Sequence, residues 1–221
     1  MRGARKIILL LTVLLLSFSL VSCEKDREYD EGEVIAAAKE LLALAKPINE
    51  IYYGKGLEYD PESGNGIYKV ALEESLSGFG ISSVEELKEK TLRVYSDERA
   101  SLMFNTVLSS ISDEGVIKHY TRYYDYTDGE GNSLVMVNSD YSYYLTGEIE
   151  YLDGIEVVDV EGEIIVISVP VRLTSESGKV KSTSLEIRML EESDGWRFTT
   201  ASFAVYNESS DAYEDLLDKL N

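Results

Sequence analysis

Residues 163–173 read EIIVISVPVRL, and this run decides the fold. It is apolar at nearly every position and rich in β-branched side chains, so it reads as a strand covered on both faces. Pro170 has no backbone donor, which points to an edge or a bulge at that end. SESGK (175–179) then turns the chain into VKSTSLEIRML (180–190), where Leu185, Ile187 and Met189 alternate with Glu186, Arg188 and Leu190. A period of two marks a strand with one face toward a core. SDG (193–195) turns the chain again into WRFTTASFAVY (196–206). Trp196 and Phe198 share a parity that Phe203 and Val205 do not, so a bulge is expected near 200–202.

The strand pattern extends back to residue 116. VIKHYTRYYDYTD (116–128) and SLVMVNSD (133–140) flank GEGN (129–132) and read as a hairpin. Asp128, Glu130 and Asn132 imitate the start of a calcium loop, but its glycine and terminal glutamate positions hold Ser133 and Ser139, so the hairpin is preferred. GEIEYLDGIEVVDV (147–160) adds further strands.

Before residue 116 the period is helical. In residues 33–53, Val34, Ile35, Ala38, Leu41, Leu42, Ala45, Ile48 and Ile51 share one helical face. Pro47 should kink or break that helix. Residues 53–66, YGKGLEYDPESGNG, read as turn chemistry. Ser83 with Glu86 forms a capping box that opens a second helix, and a third starts at Asp97. SSDAYEDLLDKL (209–220) reads as a short closing helix. Helices first and antiparallel strands after predict an α+β fold with the helices on one face.

This order resembles the cone-shaped cystatin-like and ketosteroid-isomerase-like superfamily, as does the hairpin LEIRMLEESDGWRF (185–198) with its Asp-Gly turn and tryptophan. The resemblance covers roughly residues 33–206. It implies a strongly bent sheet wrapped around a long N-terminal helix, with a concave face used by enzymes, binding modules and envelope lipoproteins. It carries no catalytic residue over to this chain, and fold alone does not choose a function.

The first residues carry an address. Arg2, Arg5 and Lys6 precede the apolar run 7–20, which is shorter than the roughly 20 residues a membrane span needs. Leu20-Val21-Ser22-Cys23 resembles the lipobox of bacterial lipoproteins, in which the cysteine receives a diacylglyceryl group and becomes the first residue after cleavage. The expected organisation is a signal peptide at 1–22, a polar tether at 23–33 and a single α+β domain at 34–221. The expected location is the extracytoplasmic face of a bacterial membrane, held there through acylated Cys23.

Charge and composition narrow the function. Three of the 21 basic residues lie in the first 22, leaving 18 against 41 acidic residues. That balance opposes nucleic acid, whose binding requires Lys and Arg on phosphates. One cysteine excludes an internal disulfide, and one histidine with no C-x-x-C or H-E-x-x-H excludes a His- or Cys-rich zinc site. No cofactor is expected.

The unusual feature is tyrosine. Tyr120, Tyr123, Tyr124 and Tyr126 crowd one segment, and Tyr141, Tyr143, Tyr144 and Tyr151 follow. Alternation would send Tyr120, Arg122, Tyr124 and Tyr126 to one face and His119, Thr121, Tyr123 and Asp125 to the other. Tyr120, Tyr124, Tyr126, Tyr141 and Tyr143 would make a flat platform for a peptide or a sugar. His119 with Tyr123 and Asp125 would make an acid–base set if they lined a pocket. Tyrosine is equally a good strand former on a half-buried pleat. The leading expectation is a non-catalytic module binding a basic envelope protein or a cell-wall glycan. The alternative is an enzyme or small-molecule carrier built on the cone's pocket. A concave face filled by Trp196, Phe198 and the first helix would favour the binding module.

Overall fold

The apolar stripe of residues 31–53 winds into one helix. The computed structural model describes residues 29–113, 116–141, 147–207 and 212–214, with the backbone alone at 65, 111–113, 116–119, 205, 207 and 212–214. Helix α1 (Glu31–Tyr53) buries Val34, Ala38, Leu41, Leu42, Ala45, Ile48, Ile51, Tyr52 and Tyr53. Glu31 and Glu33 in its first turn complement the helix dipole. Pro47 does not break it. Both Pro47 and Ala43, whose carbonyl loses its donor, lie on the exposed side, where water serves that carbonyl.

The segment read as turns contains a strand. β1 (Tyr59–Asn65) pairs with β2 (Tyr68–Ala71) across an irregular register. β1 is an edge strand, so Pro61 is tolerated there. Three helices follow: α2 (Glu73–Gly78), α3 (Val84–Val94) and α4 (Asp97–Val107). The capping box opens α3, since Ser83 Oγ accepts from the Glu86 amide at 3.1 Å. The reciprocal arm lands one residue early, on the amide and hydroxyl of Ser82, both 2.8 Å from Glu86 Oε2.

The run 116–128 is not one strand. β3 (Ile111–Asp113) pairs with β4 (Val116–His119), the chain leaves the ladder at 120–122, and β5 (Tyr123–Thr127) pairs with β6 (Ser133–Asn138). The β5–β6 turn is the expected hairpin. Asp128 Oδ1 accepts from the amides of Glu130 and Asn132, and Oδ2 accepts from Asn132 Nδ2. These bonds, the Asn132 side chain's foremost, hold the Asp128 carboxyl below its usual range. The first sheet runs β1-β2-β6-β5.

The second sheet holds β7 (Glu148–Tyr151), β8 (Glu156–Glu161), β9 (Ile164–Thr174), β10 (Val180–Glu192) and β11 (Gly195–Phe198). The fold is α+β, and one antiparallel sheet curls strongly into a half-barrel. β9, the run 164–174, is central: β10 pairs along one side and β7 and β8 along the other. Pro170 therefore lies at neither an edge nor a bulge. Its outer neighbours break there, with β7 ending opposite Val171 and β8 starting opposite Ser168, so the missing donor costs no ladder bond. The Pro170 carbonyl accepts from the Leu152 amide at 2.8 Å. The inner face of β9, Ile165 to Leu173 at alternate positions, is fully buried; the outer face is covered at Val166 but open at Arg172.

Two expectations at the C-terminal end fail. No bulge continues β11 past Phe198; the strand stops, and Ala201, Ser202, Phe203 and Ala204 are buried outside regular structure. Ala212–Glu214 forms strand β13 against β12 (Val205–Asn207), where the closing helix was expected. The backbone ladder between β12 and β13 takes the place of the expected helical turn. The described residues from Glu31 onward form one compact unit. Its core joins the α1 stripe to Ile165, Ile167, Val169, Leu185, Ile187, Met189 and Phe198.

Candidate functional site

Strand pairing sorts the tyrosines onto different sides. Tyr123 lies opposite Val137 and faces α1, whereas Tyr124 lies opposite Met136 and Tyr126 opposite Leu134 on the outer side. β2 continues that outer face with Val70 opposite Met136 and Tyr68 opposite Asn138. Met136 is buried yet stands apart from the main core, beneath this second layer. The Tyr68 and Tyr124 rings meet edge to face, 4.8 Å between centroids at 80°. Burial, followed by the nearby Tyr124 and Tyr120, pushes the Tyr68 phenol up, and its hydroxyl donates to the Thr121 carbonyl at 3.0 Å. Tyr120 and Tyr126 remain 46% and 48% exposed.

The surroundings are acidic. Residues 59–71 and 123–140, which supply β1, β2, β5, β6 and their turns, carry Asp60, Glu62, Asp125, Asp128, Glu130 and Asp140 against one base, Lys69. Lys69 lies opposite Val137, on the core side. Asp125, opposite Val135, shares the core side with Lys69, so among the described residues of these segments the outer face is aromatic, flanked by acidic turns and without a basic side chain.

Arg122 was expected beside Tyr124 on that face. It is instead buried at the end of α1. Nη1 donates to the Tyr52 carbonyl at 2.9 Å, and Nη2 donates to those of Gly54 and Lys55 at 2.7 and 2.8 Å. The guanidinium lies 5.2 Å from the Tyr123 ring centroid and 5.0 Å from that of Tyr141. Tyr123 completes the cap: its hydroxyl donates to the Ile51 carbonyl at 3.0 Å and accepts from the Leu57 amide at 3.2 Å. A cation at the negative end of a helix is well placed. Arg197 repeats the device at α3, donating from Nε to the Leu92 carbonyl at 2.8 Å.

Asp125 and Tyr123 do not share a pocket. Asp125 is exposed, and its Oδ1 accepts from the Val84 amide at 2.8 Å, which ties β5 to the start of α3. The Tyr123 phenol is pushed up by burial and is committed to the α1 cap. His119 is placed by its backbone in β4, and its side chain lies outside the described residues, as do Tyr143 and Cys23. Tyr141 is half-buried beside Arg122. Among the described residues the buried charges are Arg99, Arg122 and Arg197, with no buried carboxylate. The concave side is occupied: Phe198 is fully buried, and Trp196 packs partly buried against the same core.

A second feature escaped the sequence reading. A half-open groove of about 750 Å³ runs between the C-terminal half of α1, strands β7 and β9, and residues 203–206. At its base Asn49 Nδ2 donates to Ser202 Oγ at 3.1 Å, the Tyr95 hydroxyl donates to Asn49 Oδ1 at 2.8 Å, and the Tyr151 hydroxyl donates to the Ser202 carbonyl at 2.5 Å. Burial first, then the neighbouring Tyr95, pushes the Tyr151 phenol well up and keeps it protonated. One signal could have found this network. Asn49 is a polar residue inside the apolar stripe of α1, in register with Leu42, Ala45 and Tyr52. Compared with known protein families, curated proteins and solved structures, the chain gives no significant match.

Proposed function

We propose that this chain is a lipid-anchored, extracytoplasmic binding module of a bacterial envelope, and that its outer tyrosine face takes a cationic segment of a partner protein. The observation that carries the reading is that face itself. It offers exposed Tyr120 and Tyr126 and the Tyr68–Tyr124 pair, acidic flanking turns and, among the described residues of its strands, no basic side chain on that side. Lys and Arg side chains are attracted to tyrosine faces and to carboxylates alike, so one surface engages them in both ways. The packing of α1 and Phe198 into the core supports recognition by the outer face over chemistry beneath those parts of the sheet. A long helix against a curled sheet is in keeping with a cystatin-like cone. The anchor reading rests on the apolar run that ends at Cys23.

The test uses a lysine- and arginine-rich peptide as probe and soluble peptidoglycan fragments as the competing class. The peptide should bind the full chain, weaken with salt, and weaken at least tenfold on Tyr120→Ala/Tyr126→Ala. The melting temperature of that variant should stay nearly unchanged, because both rings are half exposed. Retention of the glycan with no tyrosine-dependent peptide binding would overturn the reading. The anchor is checked separately by fatty-acid labelling: Cys23→Ser should carry no label and should leave the membrane fraction.

A further inference from the structure

We infer that the groove between α1 and β7/β9 is a second binding site, for a short zwitterionic peptide with an apolar side chain. This goes beyond the tyrosine face and does not depend on it. The groove's volume of about 750 Å³ falls in the range of sites for small ligands.

Its charges are divided between two walls. Lys46 and Lys55 come from the end of α1 and the turn after it; Glu148 and Glu176 come from β7 and the turn after β9. None of these four side chains has a hydrogen-bond or ion partner among the described residues. The other charged groups in the groove are already engaged. Glu50 accepts from the Lys55 amide at 2.9 Å, and Arg172 pairs with Glu150. What remains is two lysine side chains on the α1 wall, beside the Glu50 carboxylate, and two glutamates on the β7/β9 wall.

Between these walls lie Ile149 and Phe203. Phe203 is held in place by stacking on Tyr53, 4.7 Å between centroids. The Asn49–Tyr95–Ser202–Tyr151 network satisfies itself and fixes the base, so little conformational freedom is lost when a ligand enters.

The arrangement selects by charge. A purely anionic ligand meets Glu148 and Glu176 as well as the acid excess of the whole chain. A purely cationic ligand meets Lys46 and Lys55. A dipolar ligand satisfies both walls, with its carboxylate toward the lysines, its ammonium toward the glutamates, and its apolar side chain on Phe203 and Ile149.

Titration calorimetry of the full chain with the tripeptide Ala-Phe-Ala tests this. The peptide with free termini should bind saturably, and its N-acetylated and C-amidated forms should each bind at least tenfold more weakly. Lys46→Gln/Lys55→Gln should erase the preference for a free carboxylate while keeping that for a free ammonium, and Glu148→Gln/Glu176→Gln should do the reverse. All four side chains are exposed, so the variants keep the fold. Tyr120→Ala/Tyr126→Ala should leave tripeptide binding intact, which separates this site from the tyrosine face. No saturable binding, or equal binding of free and capped peptides, would overturn the inference.

Discussion

Arg122 Nη1 lies 2.9 Å from the carbonyl oxygen of Tyr52, so a residue just ahead of strand β5 closes the end of helix α1, 70 positions earlier in the chain. The same guanidinium serves the carbonyls of Gly54 and Lys55. Arg122→Ala leaves these acceptors without their donor and should cost about 3 kcal/mol or more. Arg122→Lys keeps the charge but not the fork, and should recover only part of that loss. Denaturant unfolding of both variants checks this; equal stability for Lys and Arg would show that charge alone suffices.

Gly56 makes room for that cap. Its φ is +75°, and an added Cβ would fall 2.0 Å from Tyr123 Oη and 2.5 Å from Arg122 Nη2. Gly66 has a similar φ of +62° but open space around it. Gly56→Ala should therefore cost more than about 2 kcal/mol, combining backbone strain with displacement of the cap. Gly66→Ala should cost only about 1 kcal/mol, from backbone strain alone. Thermal melts of the two variants side by side read the difference.

Phe198 decides whether the concave side is filled. It is fully buried in the core, 6.1 Å from the Tyr95 ring centroid. Phe198→Ala should destabilise by about 3–5 kcal/mol, as large-to-small aromatic changes in cores do. A loss below about 1 kcal/mol, measured by urea unfolding, would mean that the side chain was not packed.

Alkali should unfold the protein through its buried phenols. Burial pushes Tyr52, Tyr53, Tyr123 and Tyr151 above the ordinary phenol value. Below pH about 10 these groups are protonated in both the folded and the unfolded chain, and their contribution is fully present. As pH rises past 10 the unfolded chain ionises first, so stability falls and continues to fall toward the folded-state values. Ultraviolet titration should show the buried set ionising only as the protein unfolds, above the ordinary phenol value. A single smooth titration of all the tyrosines with retained structure would contradict this.

Local pattern was enough for some elements. The alternation of Leu185, Ile187 and Met189 specified which face of β10 is buried, because a strand has only two faces and one of them meets the core. The stripe from Val34 to Ile51 specified α1, and Ser83 with Glu86 specified where α3 begins. Strand β5 within the tyrosine-rich run, and its hairpin with β6, were visible for the same reason. In each case the determining residues are within a few positions of one another.

Where the sequence misled, the deciding partner is distant. Pro47 stays in its helix because the side of α1 it occupies meets water. Pro170 sits in a central strand because β7 and β8 happen to break opposite it. Arg122 leaves the tyrosine face because the carbonyls it serves belong to α1. Ala212–Glu214 is a strand because β12 is there to pair with it. The groove draws Lys46, Glu148, Glu176 and Phe203 from four separate parts of the chain. Sequence by itself determined the α+β class, the main helix and strand faces and the acidic balance, since each follows from periodicity or composition. Tertiary structure alone decided the caps, the strand breaks and the groove, since hydrogen bonds and charge pairs between remote segments leave no period in the sequence that forms them.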